Sequence, residues 1–254
     1  MDTPLDEATR SAERGPRDAA TPAAPTGELV WARRGTAYFA RKLNELTDAE
    51  LDRPSLLPGW SRRHVIAHVG YNARALSRLM RWARTGVETP MYPSPEHRDA
   101  EIRRGATLPA HALRSLFAHT AAHLDAEWRD LPDTRWDAEV RTAQGRLVPV
   151  RETAWMRARE VWVHAVDLDS GADMRDFPSD LLGETLADVL RAWRQRGERV
   201  DLTVAVAGRE PIVLGTGGPT VSGTLPDMVR WLTGRGARGL TSSTGVLPVL
   251  PRWF

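Results

Sequence analysis

The chain has 254 residues, of which 41% are hydrophobic, and its 35 basic residues nearly balance its 33 acidic residues. This composition is typical of a globular protein, and it includes neither an apolar run long enough to span a membrane nor the basic excess of a nucleic-acid-binding protein. Cysteine is absent, which excludes disulfides, thiolate metal sites and a cysteine nucleophile.

Residues 1–26 mix proline, alanine, threonine and charged side chains without hydrophobic periodicity. Such a segment cannot bury enough apolar surface to fold, so we predict a disordered tail. It also lacks the apolar core of a signal peptide. We therefore expect a cytoplasmic protein that binds neither nucleic acid nor membrane, and we expect a monomer.

Residues 27–175 are predicted to form a bundle of four helices. Segments of about 20 residues with helical periodicity are separated by connections that contain proline or glycine. Ser61 is the expected N-cap of the second helix, and apolar-facing positions of that helix form one seam, which comprises Val65, Val69, Asn72, Leu76 and Leu79. The four segments are GELVWARRGTAYFARKLNEL, HVIAHVGYNARALSRLMRWAR, PAHALRSLFAHTAAHLDAEWRDL and RETAWMRAREVWVHAVDLDSG.

Residues 176–254 are predicted to form a small α+β domain. PSDLLGETLADVLRAWRQRG predicts a further amphipathic helix, and DLTVAVAG, EPIVLG and PTVSG predict strands joined by tight turns. LPDMVRWLTGR predicts a short helix, and STGVLPVLPRWF predicts an edge strand limited by its prolines. The whole chain is therefore predicted to be α+β, with a helical bundle followed by a small α+β domain.

Three pairs of potential metal ligands have a spacing of four residues, each pair on a different predicted helix. This spacing places both side chains on one helix face, and bundles often build metal sites from inward-facing side chains. All three pairs flank an apolar seam in the same way, so periodicity does not choose among them, and an ordinary packed histidine is the alternative for each. The pairs are His64 with His68, His119 with His123, and Glu160 with His164.

Three motifs resemble those of one known family in order and in spacing. LPGWSRRHVIAHV resembles the start of the second helix in the DinB-like mycothiol-dependent maleylpyruvate isomerase family, REVWVHAVDL resembles the fourth-helix motif, and WLTGR resembles a third motif near the C-terminus. The resemblance covers nearly the whole chain except the N-terminal tail. It implies a metal-binding four-helix bundle with a small C-terminal domain that closes over the metal.

The resemblance implies Arg235 as a catalytic arginine and identifies no residues that hold the sugar portions of mycothiol. Asp167, one turn after His164, is either an acceptor that orients the imidazole or a solvated charge. The implied ligands of zinc or another divalent metal are His68, Glu160 and His164. The other paired histidines match no ligand position and are expected to be structural or pocket-lining; they are His64, His119 and His123.

The implied activity is the cis-trans isomerisation of maleylpyruvate to fumarylpyruvate, a reaction of aromatic degradation. A nucleophile that adds to the conjugated double bond makes that bond single, so the adduct can rotate before the nucleophile leaves. The resemblance implies mycothiol as the nucleophile, and the absence of cysteine from this chain fits such a borrowed thiol. A metal would favour its thiolate form.

Two alternatives to the isomerase remain open in the sequence. The first is an S-transferase that attaches mycothiol to another electrophile, since such an enzyme would use the same ligands. The second is a metal-binding module without enzymatic activity. A transferase consumes the thiol whereas an isomerase returns it, so product analysis separates the two enzymes.

Overall fold

A computed structural model describes residues 24–253 of the chain. The predicted tail lies outside these residues except for its last three, and Thr26 already begins the first helix. The described helices are α1 Thr26–Asn44, α2 Arg62–Thr85, α3 Pro95–Ala106, α4 Ala110–Arg129, α5 Glu152–Asp167, α6 Ser179–Gln195 and α7 Leu225–Leu232. The described strands are β1 Glu139–Arg141, β2 Leu147–Pro149, β3 Leu202–Val206, β4 Ile212–Leu214, β5 Thr220–Gly223 and β6 Thr241–Ser242.

Helices α1, α2, α4 and α5 form the predicted four-helix bundle, in which α1 packs on α5 and α2 packs on α4 and α5. The α2 seam predicted from the sequence is buried at every position. Helices α1 and α5 approach most closely at Gly35, where an added Cβ would lie 2.5 Å from the Trp162 ring and from the Val161 side chain. Their packing therefore depends on a residue without a side chain.

Helix α3 was not predicted, because the stretch between the second and third bundle helices was interpreted as a connection. Its sequence is strongly polar, and Ile102 is among its few buried apolar residues, so hydrophobic periodicity is weak. Capping signals are nevertheless present: the Ser94 hydroxyl accepts from the His97 backbone N–H at 3.2 Å, and Pro95 occupies the first helical position. Helix α3 packs against α2.

The connection before α5 also contains structure that the sequence analysis missed. Strands β1 and β2 pair in antiparallel fashion, with Val140 opposite Val148. Both valines are buried, and Gly145 at the turn has a φ of 79°, which favours glycine. This short hairpin packs near the start of α5. Its residues also line a groove between α5 and α6.

The chain after α5 forms a four-stranded sheet in the order β4-β3-β5-β6, together with α6 and α7. Strands β3 and β5 are parallel, and the other neighbours are antiparallel. The edge strand predicted in residues 243–254 is wrong in position, because β6 comes just before that segment and the described residues 243–253 contain no strand. Pro248 and Pro251 lack the N–H that a strand would donate there.

The α+β class is confirmed, with the helical bundle first and the smaller mixed part after it. The domain boundary at residue 176 stays a prediction. Within residues 24–253, none of the helices combines the length and the apolar character needed to cross a membrane.

Candidate metal centre

The loop before α2 fixes the position of His68. Ser61 precedes the first residue of the helix, and its backbone N–H donates to Nδ1 of His64 at 3.3 Å, which caps the free helix end. His68 follows in the second turn and is buried, with the Trp60 ring packed edge-on at a centroid distance of 5.5 Å. His64 is therefore a structural residue at the helix N-terminus.

Helix α5 contributes Glu160 and His164 from one face, one turn apart, and this face is directed at His68 on α2. Oε2 of Glu160 lies 2.9 Å from Nε2 of His68 and 3.1 Å from Nε2 of His164. The ligand atoms of the three residues all lie within 4.8 Å of one another. Two imidazoles and one carboxylate at this separation fit a divalent cation such as zinc, with a further position left open.

Asp167 holds the imidazole of His164 in the orientation that a metal ligand needs. Its side chain is 0% exposed, and Oδ2 accepts from Nδ1 of His164 at 2.8 Å, which leaves Nε2 directed at the centre. Of the two alternatives for Asp167, the buried acceptor is the one that the structure shows. Nδ1 of His68 is buried without a hydrogen-bond partner among the described residues.

The electrostatics of the centre favour an ionised carboxylate. Burial opposes ionisation of Glu160, but the two imidazoles beside it hold its pKa well below the usual range. Burial lowers the pKa of His68, and its one carboxylate neighbour, Glu160, only partly compensates. Burial also lowers the pKa of His164. Hydrogen bonds to Asp167 and Glu160 outweigh this effect and raise the pKa to about 9. Burial opposes ionisation of Asp167 as well, and hydrogen bonds from His164 and Arg235 lower its pKa to about 2.

Arg235 reaches this centre from the end of α7. The backbone N–H groups of Gly234 and Arg235 donate to the carbonyls of Trp231 and Arg230, which ends the helix with a Schellman motif. Gly234 has a φ of 79°, a conformation that glycine adopts at little cost. The Arg235 side chain then turns to Asp167, with Nε at 3.0 Å from Oδ1 and Nη2 at 2.7 Å from Oδ2. Arg235 therefore ends α7 through its backbone N–H and contacts Asp167 through its side chain.

A cavity of about 700 Å³ opens over the three candidate ligands. We refer to it as the site cavity; its walls come from the loop around Trp60, from α5, from the α7 end around Arg235 and from the chain segment before Trp253. Apart from its two histidines, the charged residues that line it in the described part of the chain are four arginines and one carboxylate, namely Arg98, Arg159, Arg235, Arg252 and Glu160. The cavity therefore has the charge of a site for anions.

Four residues predicted from the sequence line this cavity, namely His68, Glu160, His164 and Arg235, whereas other lining residues were not predicted. Arg98 was missed because α3 was missed. Arg159 begins the REVWVHAVDL motif but was given no role, and Arg252 belongs to none of the three motifs. A capping signal at Ser94 could have placed Arg98 on a helix, but no local signal places it in the cavity.

The remaining histidine pair lies elsewhere. His119 and His123 are exposed on α4, and neither lines the site cavity. His123 lies 3.7 Å from Glu127 one turn further along the same helix. The pair therefore belongs to the solvated face of α4.

Comparisons with known proteins identify the family of this chain. The family model described as the mycothiol maleylpyruvate isomerase N-terminal domain matches residues 32–169, and the MDMPI C-terminal domain model matches residues 176–252. The structure is similar to a crystal structure of the mycothiol-dependent maleylpyruvate isomerase, with a TM-score of 0.86 and 46% identity over 90% of this chain and 96% of that one.

A crystal structure of a histidine-to-alanine variant of the mycothiol-dependent maleylpyruvate isomerase gives the same values of similarity and coverage. A comparison with curated proteins gave no match. The sequence motifs, the clustered histidines and carboxylate, and the match of both family models lead to one conclusion. The chain belongs to the mycothiol-dependent maleylpyruvate isomerase family.

Proposed function

We propose that this protein isomerises maleylpyruvate to fumarylpyruvate with mycothiol as its thiol cosubstrate. The observation that carries the proposal is the convergence of His68, Glu160 and His164 within 4.8 Å, in a chain of this family. Arg235 lines the same cavity. Crystal structures of the mycothiol-dependent maleylpyruvate isomerase share the fold at 46% identity, which supports the same activity here.

The proposed ligands of the divalent metal are His68, Glu160 and His164, with zinc as the expected ion because two imidazoles and a carboxylate suit it. A metal in this site would stabilise the thiolate form of a bound thiol at neutral pH. Glu160 contributes the one negative charge of the ligand set. Asp167 keeps His164 oriented, and the two neutral imidazoles leave a net positive centre.

Arg235 is proposed to bind a carboxylate of the substrate and to stabilise the negative charge that develops on its oxygens. Three of its N–H groups are already used, two for Asp167 and one for the carbonyl of Thr233 at 2.5 Å. One N–H remains on each terminal nitrogen, and such a pair can hold a carboxylate in bidentate fashion. The excess of arginine in the site cavity favours a dianionic substrate over a neutral one.

The same proposal includes the domain division, the location and the oligomeric state. They are a DinB-like bundle over residues 27–175, a separate C-terminal domain over residues 176–254, a cytoplasmic location and a monomeric state. The polar segment between α5 and α6, where the first family model ends and the second begins, supports the proposed division.

The test measures the amount of free thiol before and after the reaction, together with the turnover of site variants. Maleylpyruvate should disappear with purified zinc-loaded protein and mycothiol, and free thiol should be recovered in full. Consumption of one thiol per product would instead identify an S-transferase. His164→Ala should abolish turnover, and Arg235→Ala should lower it by about 100-fold. Arg230→Ala, in α7 and outside the site cavity, should leave turnover unchanged. Normal turnover of Arg235→Ala beside an inactive His164→Ala would remove Arg235 from the mechanism.

A further inference from the structure

A second cavity of about 710 Å³ lies beside the site cavity. It is a groove between α5 and α6, closed on one side by the β1–β2 hairpin and at its end by the start of α1. We call it the α5–α6 groove. The residues that characterise it are Gln144, Trp155, Met156, Arg159, Asp188 and Arg191.

The groove is continuous with the site cavity. Arg159 and Gln144 line both. Along α5, the lining positions Glu152, Met156 and Arg159 lead to Val163 in the site cavity with a spacing of four, three and four residues, which is a single helix face. This face is about 16 Å long, and it ends beside Glu160 and His164.

The opposite wall of the groove is an ordered set of charged and amide groups on α6. Glu184, Asp188, Arg191 and Gln195 follow the same spacing along one face of the helix. Asp188 accepts from Nη1 of Arg159 at 3.0 Å and from Nη2 of Arg191 at 3.4 Å, and Arg191 also donates to Glu184 at 2.8 Å. These planar donors and acceptors are held in place by one another, and such groups can hydrogen-bond to neighbouring hydroxyls of a ligand.

The charge balance of the groove differs from that of the site cavity. Four arginines and four carboxylates line the groove in the described part of the chain, whereas the site cavity has four arginines and one carboxylate. A balanced lining gives no preference for an anion. The groove therefore suits an uncharged polar ligand, and the site cavity suits the dianion.

An aromatic pair supplies an apolar surface inside this polar groove. Trp31 and Trp155 both line it and meet edge to face, with ring centroids 6.1 Å apart. Trp155 is 8% exposed, and its indole N–H has no hydrogen-bond partner among residues 24–253. A sugar ring could pack its apolar face against this aromatic pair while its hydroxyls reach the polar groups of the groove.

We propose that the α5–α6 groove binds the sugar portions of the thiol cosubstrate, so that its thiol end lies at the metal centre. This proposal rests on the proposed function, because it takes mycothiol as the thiol. Mycothiol consists of N-acetylcysteine joined to an uncharged glucosaminyl-inositol, which matches a long, neutral groove that ends at a cationic site. The groove would thus select this thiol over smaller ones through contacts far from the sulfur.

The test measures binding of thiol-free N-acetylglucosaminyl-inositol, whose acylated amine is uncharged as it is in mycothiol, by calorimetry, which requires no turnover. The wild-type protein and the metal-centre variant His68→Ala should both bind this probe. The double variant Asp188→Asn, Arg191→Met should bind it about tenfold more weakly. Arg194→Met, a change of an exposed arginine on the same helix that does not line the groove, should leave binding unchanged.

Turnover gives a second readout that separates this proposal from the proposed function. In the double variant, KM for mycothiol should rise about tenfold while KM for maleylpyruvate stays unchanged. Equal probe binding and equal KM for mycothiol in wild type and double variant would overturn the groove proposal even if the enzyme is an isomerase. Probe binding that depends on Asp188 and Arg191 in a protein without isomerase activity would support the groove and refute the proposed reaction.

Discussion

Asp167 joins the metal centre to Arg235. Its Oδ2 accepts from Nδ1 of His164 and from Nη2 of Arg235, and its Oδ1 accepts from Nε of Arg235. Because the carboxylate is fully buried, water does not compete for these hydrogen bonds. One side chain therefore orients a proposed metal ligand and the proposed catalytic arginine together.

We expect Asp167→Asn to weaken zinc binding by about 10- to 100-fold, because the amide is a poorer acceptor for the imidazole N–H than the carboxylate. A competition titration with a chromophoric chelator measures this change. Asp169→Asn, at an exposed position two residues further along, is the matched control and should bind zinc like the wild type. Unchanged zinc affinity in Asp167→Asn would show that the hydrogen bond does not support the ligand.

Zinc binding should release a proton from His164. The pKa of His164 is raised to about 9 in the metal-free protein, so the ring is cationic at neutral pH, whereas a ligating imidazole must be neutral. The pKa of Glu160 and that of His68 are both lowered, so neither holds a proton that zinc must displace. Zinc affinity should therefore rise with pH by about tenfold per unit from pH 7 and level off near pH 9.

Calorimetry in buffers of different ionisation enthalpy measures this proton release directly. We expect about one proton per zinc at pH 7 and fewer as the pH approaches 9. Binding at pH 7 without proton release would show that His164 is already neutral in the metal-free protein.

The residues of the site were predictable from the sequence to different degrees. His68, Glu160 and His164 belong to motifs that lie within single helices, so their proximity follows from those motifs and the bundle. The role of Asp167 stayed open, because it depends on contact with Arg235, which is distant in sequence. Arg98 in the site cavity was missed for the same physical reason: only tertiary packing brings it there.

At the scale of elements, the α1–α5 contact determines where α5 presents its ligands. An added Cβ at Gly35 would lie 2.5 Å from atoms of Trp162 and Val161, closer than side-chain packing allows. The two α5 residues are buried and belong to the helix that carries Glu160 and His164. A larger residue at this position must push the helices apart or distort the ring.

Gly35→Ala is therefore expected to lower the free energy of unfolding by about 1–3 kcal/mol, despite the better helix propensity of alanine. Denaturant titration followed by circular dichroism measures the loss. Gly27→Ala, in the same helix but with nothing within 4 Å of the added Cβ, is the control. It should change stability by at most about 0.5 kcal/mol. Equal stability of Gly35→Ala and wild type would mean that α1 and α5 are not tightly packed there.

The elements with strong hydrophobic periodicity were predictable, and the polar ones were not. The four bundle helices, α6, α7 and strands β3 to β5 appear in the predicted segments. Helix α3 was missed because its few buried residues leave no periodic stripe. The edge strand was misplaced because its prolines were judged compatible with an edge, whereas the pairing partner of β5 is the short segment Thr241–Ser242.

At the scale of the whole molecule, the proposed metal ligands come from both α2 and α5, and Arg235 joins the C-terminal part to the end of α5. A metal that binds only the folded chain adds its binding free energy to the free energy of unfolding. We expect removal of zinc with a chelator to lower Tm by about 10 °C. Differential scanning calorimetry measures this shift, and His68→Ala, which lacks a proposed ligand, should not respond to the chelator. An equal response in both proteins would place the metal elsewhere.

The two adjoining cavities differ in charge, because the site cavity is cationic and the α5–α6 groove is balanced. The bundle, the hairpin and α6 form the groove, while the segment after α7 completes the site cavity. This division of charge could not be predicted from the near-neutral composition of the chain. It arises because the fold gathers arginine without matching carboxylates around the metal centre.

The most direct measurement is the ultraviolet time course of maleylpyruvate mixed with zinc-loaded protein, with and without mycothiol, followed by identification of the product. The proposed function requires conversion to fumarylpyruvate only when mycothiol is present, and no conversion by His68→Ala. Intact, zinc-bound protein that leaves maleylpyruvate unchanged in the presence of mycothiol would contradict it.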